Sequence, residues 1–296
     1  MNKIVDSERP LQIVTTCRAY DLPVLEIAIN KLQKNLPFKN LFVIAPARDC
    51  RKMRRRLERQ AQIIPEDEFI PGMNIHQLRQ LARFGFPKNA GWYLQQFLKL
   101  QFAFTEPEDD FYLIWDADTI PLRPMRFFDS AGRMLLTKAV EYHVPYFETY
   151  RRLFNAEPNR EFSFISQHML VQKSIAREML GKIEQQAAGK EPWGWKIMHS
   201  LPPIEDHHLF SEFETYGHYM KNYHPERVAF VERSWWRFGS EFTGGKIPSE
   251  RDLEKLARDY DFVSFEKATK GLRYLAKCVL KKLRKNRQRK SSQECR

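Results

Sequence analysis

No apolar run in the 296-residue sequence approaches the roughly 18–20 residues of a membrane-spanning helix, which argues against a helical integral membrane protein. The opening stretch, MNKIVDSERPLQIVTTC, lacks an apolar segment of about 7–15 residues followed by a small-residue cleavage site, so export by that route is not expected. Cysteine is sparse. Cys17, Cys50, Cys278 and Cys295 show no CxxC spacing, which excludes a zinc site of that pattern and a disulfide framework. They read as reduced thiols of a cytoplasmic protein. Internal repeats and Gly/Ser linkers are also missing. Aromatic residues are not: 22 Phe, 11 Tyr and 6 Trp, within a 43% hydrophobic composition, exclude a disordered chain and are enough for a sizeable core.

The formal net charge of +12 is unevenly placed. Residues 267–290 carry eleven Lys and Arg and no Asp or Glu, which leaves residues 1–266 close to neutral. A nucleic-acid groove would put its positive charge on the folded body, so no nucleic-acid partner is expected. In KATKGLRYLAKCVLKKLRKNRQRK, Leu272, Leu275, Ala276, Val279, Leu280 and Leu283 recur at helical spacing among basic residues. A cationic amphipathic segment of this kind suits the anionic cytoplasmic face of a membrane. An ordinary solvated terminal helix is the alternative. The simplest division is one domain over residues 1–265 and a basic tail over 266–296.

Periodicity along the body alternates between strand and helix. Residues 12–16 (QIVTT) read as a strand and 21–35 as a helix. Residues 41–45 (LFVIA) are a buried strand, followed by a basic helix capped by Asp49 and running to about Gln60. A weak strand near residues 63–64 and a short helix over 74–84 come next. The helix GWYLQQFLKLQFAF then leads to the most apolar strand, residues 111–115 (FYLIW). This order implies a mostly parallel sheet flanked by helices. Further on, strands are expected at 134–137, 162–171 and 227–231, with helices at 173–187 and about 206–222.

In FYLIWDADTIPLRP the apolar strand ends in Asp116-Ala117-Asp118. Open α/β sheets bind ligands beyond the carboxyl ends of their strands, and residues i and i+2 of an extended chain point the same way. Two hard oxygen ligands there suit Mg²⁺ or Mn²⁺, with substrate phosphates completing the shell. The alternative is that Asp118 caps a turn before Pro121. The dehalogenase type of D-x-D fits poorly, because Thr119 and Ile120 miss its pattern by one position and the motif follows the fourth strand.

The stretches IVTTCRAYDLPVLEIAI, GWYLQQFLKLQFAF, YLIWDADTIPLRPM, SFISQHMLVQ and FSEFETYGHYM resemble those of bacterial GT-A-like glycosyltransferases, and more narrowly an uncharacterised domain-of-unknown-function family. The likeness spans about residues 10–240. It implies a GT-A fold, a divalent cation, a nucleotide-sugar donor such as a UDP-sugar, and a carbohydrate or lipid-linked acceptor. By the same resemblance Thr15, Thr16 and Arg18 hold the nucleotide, joined by Gln96 and Lys99 on the helix before the D-x-D strand. Asp116 and Asp118 hold the metal, with His224 as a late third ligand. Glu212, backed by Glu214 and Asp206, is the expected catalytic base; Glu212 and Glu214 stand about 200° apart on a helix, so at most one faces the site. Trp236 and Arg237 are candidates for sugar stacking and phosphate binding, and His168 for the acceptor.

Together these readings describe a cytoplasmic, metal-dependent glycosyltransferase in surface-polysaccharide or lipopolysaccharide assembly, held peripherally at the membrane by its tail. Two rivals remain. A nucleotidyltransferase would use the same aspartates, but TTCRAYD offers no Gly-rich phosphate loop. A non-catalytic adaptor would act through the basic tail on membrane or RNA.

Overall fold

The computed structural model describes residues 9–81, 89–105, 109–186, 191–202, 208–245 and 247–266. The tail expected beyond residue 266 and the candidate base Asp206 lie outside these residues.

The alternation read from the sequence builds the sheet. Strands β1 (Leu11–Thr16), β2 (Phe38–Ala45) and β3 (Gln62–Pro65) are joined by helices α1 (Leu22–Asn35) and α2 (Ala47–Leu57). After α3 (Ile75–Arg79) and α4 (Ala90–Gln101) comes β4 (Phe111–Trp115). β3, β2, β1 and β4 lie side by side in parallel, and β7 (His168–Gln172) adds antiparallel to β4. The expectation of a mostly parallel central sheet flanked by helices is met. β4 is apolar throughout because it is central and covered on both faces. Tyr112, Leu113, Ile114 and Trp115 are each at most 1% exposed, a burial that contributes roughly 1.5–3 kcal/mol per side chain.

Helix α1 is apolar on two sides. Leu22, Leu25, Ile29 and Leu32 face the main core, while Val24 and Ala28 join a smaller cluster with Ile120, Leu253, Val263 and Phe265. That cluster belongs to β5 (Thr119–Pro121), the short α9 (Glu250–Leu256) and β10 (Phe262–Ser264). A second sheet in the order β5-β10-β9, where β9 is Trp235–Trp236, is thereby tied to the main one. β6 (Met134–Lys138) pairs in parallel with β8 (Val228–Glu232) in a third.

Several local expectations need correction. Asp49 does not cap α2: the N-cap is Pro46, and the Asp49 carboxylate accepts the Ala19 N–H at 3.1 Å, tying α2 to the loop after β1. The strand expected over residues 162–171 is regular only over β7, because Gln167 adopts φ +65° and breaks the ladder ahead of it. The helix expected from residue 206 begins at Glu212 as α8 (Glu212–Tyr223), with Ser211 accepting the Glu214 N–H. Helices α5 (Val144–Phe154) and α6 (Lys173–Gln186) pack against α8, and α7 (Trp193–Ser200) packs on α5 and α6.

Candidate active site

The carboxyl ends of β1 and β4 open onto a cleft of about 400 Å³, and a second hollow of about 370 Å³ continues it beyond β1 and β2. A larger concavity of about 670 Å³ lies at the start of β2 and the end of α2, away from the carboxyl edge of the sheet where open α/β folds place their ligands.

Asp116, Ala117 and Asp118 line the cleft together. The reason differs from strand alternation. The chain turns at this point, with the Thr119 N–H donating to the Asp116 carbonyl at 3.0 Å. The Trp115 indole N–H donates to the Thr119 carbonyl at 2.7 Å, and the Phe265 N–H to the Asp118 carbonyl at 2.8 Å. A buried strand and β10 thus hold both ends of the acidic turn, so its carboxylates are placed before any ligand arrives.

Lys99 Nζ stands 2.5 Å from Asp116 Oδ1 and 2.9 Å from Glu212 Oε1. It is 3% exposed and Glu212 is 4% exposed. Burial alone would push the Lys99 ammonium down, but the two carboxylates outweigh it and hold it above its ordinary value. Burial pushes the Glu212 carboxyl up, with Asp116 adding to the rise and Lys99 opposing it. Gln96 supports the same corner: its side-chain oxygen accepts the Glu212 N–H at 3.0 Å. Gln96 and Lys99 therefore position carboxylates at the cleft wall.

Across the cleft, Gln167, with its amide nitrogen turned to the carboxylates, donates to Asp116 Oδ2 and Glu266 Oε1 at 3.1 Å each. Glu266 Oε1 is 2.9 Å from Arg237 Nε, and Arg237 also pairs with Glu141. Burial raises the Glu141 carboxyl against the pull of Arg237. A chain of polar contacts thus runs from Glu212 through Lys99, Asp116, Gln167, Glu266 and Arg237 to Glu141. The lining carries six carboxylates against Lys99 and Arg237, so its field is negative.

Among the described residues no group of three or more His, Cys, Asp or Glu is arranged to hold a metal ion. Asp116 and Asp118 nevertheless supply hard oxygen donors from one turn in an acidic cleft. A divalent cation fits that donor set if substrate and solvent complete its shell.

A family profile covers residues 15–239, from the end of β1 to just past Arg237. The chain belongs to DUF6492. This is a family of unknown function. No curated protein matches the sequence. Among solved structures, the DUF6492 chain is similar to mouse xyloside xylosyltransferase 1 in its apo form, at 12% identity, 88% coverage of this chain, 99% of that one and a TM-score of 0.46. It is also similar to the galactosyltransferase LgtC in complex with donor and acceptor sugar analogues (12% identity, 86% and 87% coverage, TM-score 0.42). The third is the glycosyltransferase GlyE of Streptococcus pneumoniae TIGR4 (11% identity, 87% and 55% coverage, TM-score 0.42).

The DUF6492 structure sorts the expected site residues. Thr16, Gln96, Lys99, Asp116, Asp118, Glu212 and Arg237 line the cleft, and Arg18 lines the adjoining hollow. Thr15 points into the core with no exposure. Glu214 lies on the other side of α8, as the 200° separation requires: its carboxylate accepts from Ser163 Oγ and from the Phe164 N–H at 3.3 Å, with His218 Nε2 at 3.1 Å. It anchors the residues 163–164 to α8. His168 is a core residue, stacked on Trp115 with its Nε2 3.0 Å from Thr137 Oγ1, and burial holds its imidazole well below the ordinary range. His224 caps the far end of α8, one helix length (roughly 18 Å) from Glu212, with Nε2 3.2 Å from Glu178. Trp236 meets Phe242 and Glu241 outside the cleft.

Sequence reasoning missed Asp21, Glu141, Gln167 and Glu266, all of which line the cleft. Gln167 was within reach. Because β7 runs antiparallel to β4, with His168 opposite Trp115, the residue just before β7 must lie beside the residue just after β4.

Proposed function

We propose that the protein is a metal-dependent glycosyltransferase that moves a sugar from a nucleotide diphosphate donor, a UDP-sugar in the simplest case, to a hydroxyl of a carbohydrate or lipid-linked acceptor. The observation that carries this reading is the fixed acidic turn Asp116-Ala117-Asp118, at the carboxyl edge of the sheet and lining one cleft with Glu212. A lining of six carboxylates repels a free diphosphate. It accepts one whose charge is masked by a cation.

Asp116 and Asp118 would hold Mg²⁺ or Mn²⁺. When bound, the ion supplies charge neutralisation to the departing nucleoside diphosphate. Thr16 at the end of β1 lines the cleft and Arg18 the adjoining hollow, and both would receive the nucleoside end of the donor. Glu212 takes the proton of the acceptor hydroxyl as that oxygen bonds to the anomeric carbon and the bond to the diphosphate breaks. Its raised carboxyl range suits a base working near neutrality. Lys99 holds the Glu212 carboxyl in place and, through Asp116, couples it to the acidic turn. Work in cytoplasmic surface-polysaccharide or lipopolysaccharide assembly is the setting proposed for such chemistry.

A thermal-shift screen of nucleoside diphosphates and nucleotide-sugars, with and without Mn²⁺, tests the reading on the wild type and Asp118→Ala. A donor class that stabilises the wild type only with metal, and leaves Asp118→Ala unmoved, supports it. Equal stabilisation without metal, or of the variant, overturns it.

A further inference from the structure

Eight large apolar side chains stand exposed among the described residues, and three of them fall between the end of β6 and the first residue of α5. Val140, Tyr142 and Val144 are 68%, 50% and 47% exposed. The residues between them turn the other way. Glu141 lines the cleft and pairs with Arg237, and His143 Nε2 is 2.7 Å from the His208 carbonyl, also at the cleft. This alternation gives the segment one face in the cleft wall and one apolar face in solvent. Arg160 donates to the Tyr142 hydroxyl at 3.4 Å and is paired with Glu148, so this edge of the face carries no net charge from it.

The second observation is where the basic sequence starts. Glu266, the last described residue, shares Arg237 with Glu141. The described body therefore ends beside the 140–144 segment, at the mouth of the cleft, and the run of eleven Lys and Arg over residues 267–290 follows it in sequence. Scattered apolar side chains on a surface need no partner. Three on alternate residues, next to the departure point of a cationic, Leu-bearing segment, match the two signals that stable association with a lipid surface requires: apolar insertion and attraction to anionic headgroups.

We propose that residues 140–144 form an interfacial anchor that, together with the basic segment, seats the cleft mouth on an anionic lipid surface. The inference stands apart from the glycosyl-transfer reading, since it concerns which face of the body meets the membrane. It also says what the chemistry would gain: Glu141 and Arg237 sit directly behind the inserted face, so an acceptor held in the lipid would enter the cleft without leaving the surface.

The test uses the full chain and vesicles of phosphatidylcholine alone or with a quarter phosphatidylglycerol. Co-sedimentation compares the wild type with Val140→Ser/Tyr142→Ser/Val144→Ser and with Lys281→Gln/Lys282→Gln/Arg284→Gln/Lys285→Gln. The expected result is wild-type binding to the anionic vesicles and little to the neutral ones, with a loss of at least about tenfold in either variant. A second measurement does not depend on how the serine variant folds. Val140→Cys in a Cys278→Ser/Cys295→Ser background carries an environment-sensitive fluorophore, whose emission should shift to the blue on anionic vesicles and be quenched by spin-labelled lipid. Three results would overturn the proposal: no binding to anionic vesicles, binding with the residue 140 probe unchanged, or a wild-type dimer that the serine variant abolishes, which would make the face a contact between two copies of the chain.

Discussion

Lys99→Met removes the cation that, among the described residues, touches both Glu212 and Asp116, while keeping a side chain of similar length. Glu212 is 4% exposed, and its carboxylate would then face Asp116 with no opposing charge at the cleft wall. Removing one partner of a buried ion pair costs about 3–5 kcal/mol. For a domain of this size that is a fall in Tm of roughly 6–20 °C. The loss should depend on pH in a definite direction. Burial already places the folded-state carboxyl of Glu212 above its unfolded range, and without Lys99 it rises further. A group raised in this way contributes stability that is fully present below its unfolded pKa, about 4.3, and is lost as pH rises through the folded pKa. The gap between wild type and variant should therefore be small near pH 5 and widen toward pH 8. Urea denaturation at four pH values, with Lys99→Met and Lys99→Met/Glu212→Gln side by side, measures it. A gap that stays constant with pH, or a double variant no more stable than the single one at pH 8, would refute the assignment of Lys99 as the counter-ion of a buried carboxylate.

Other outcomes follow from the same geometry. A Cβ at Gly91 would lie 2.2 Å from the Arg18 guanidinium, the movable end of a long side chain, so Gly91→Ala should leave Tm within about 2 °C yet weaken donor binding about fivefold, read by calorimetry, if Arg18 contacts the donor. At Gly217 the added carbon would meet the buried Phe164 ring at 2.2 Å; Gly217→Ala should cost about 3 kcal/mol in urea unfolding, since an overpacked core cannot yield cheaply. Glu214→Leu strands Ser163 and His218 inside the protein and should cost roughly 2–4 kcal/mol, while the metal concentration needed for half-maximal transfer stays that of the wild type. A changed metal requirement would move Glu214 into the site.

Much of the fold was legible because its central elements obey simple periodicities. FYLIW could only be a strand covered on both faces, and α1 announced its buried stripe at Leu22, Leu25, Ile29 and Leu32. The acidic turn was legible for the same reason: it follows the most apolar strand. What was hidden depends on contacts between distant segments. His168 and Gln167 are neighbours in sequence, and only the antiparallel direction of β7 decides that the first enters the core and the second the cleft. Glu141 and Glu266 carry no motif at all. They reach the cleft because Arg237 draws two remote segments together. His224 had a suitable chain position for a metal ligand, but α8 carries it away from Asp116 toward Glu178.

The account rests on a cation held by the acidic turn, and anomalous scattering from a crystal grown with Mn²⁺ and a nucleoside diphosphate tests this most directly. A single strong peak about 2.1 Å from carboxylate oxygens of Asp116 and Asp118, also in contact with the diphosphate, is the predicted result. A nucleotide bound in the cleft with the manganese elsewhere, or with both carboxylates turned away from it, would contradict the account.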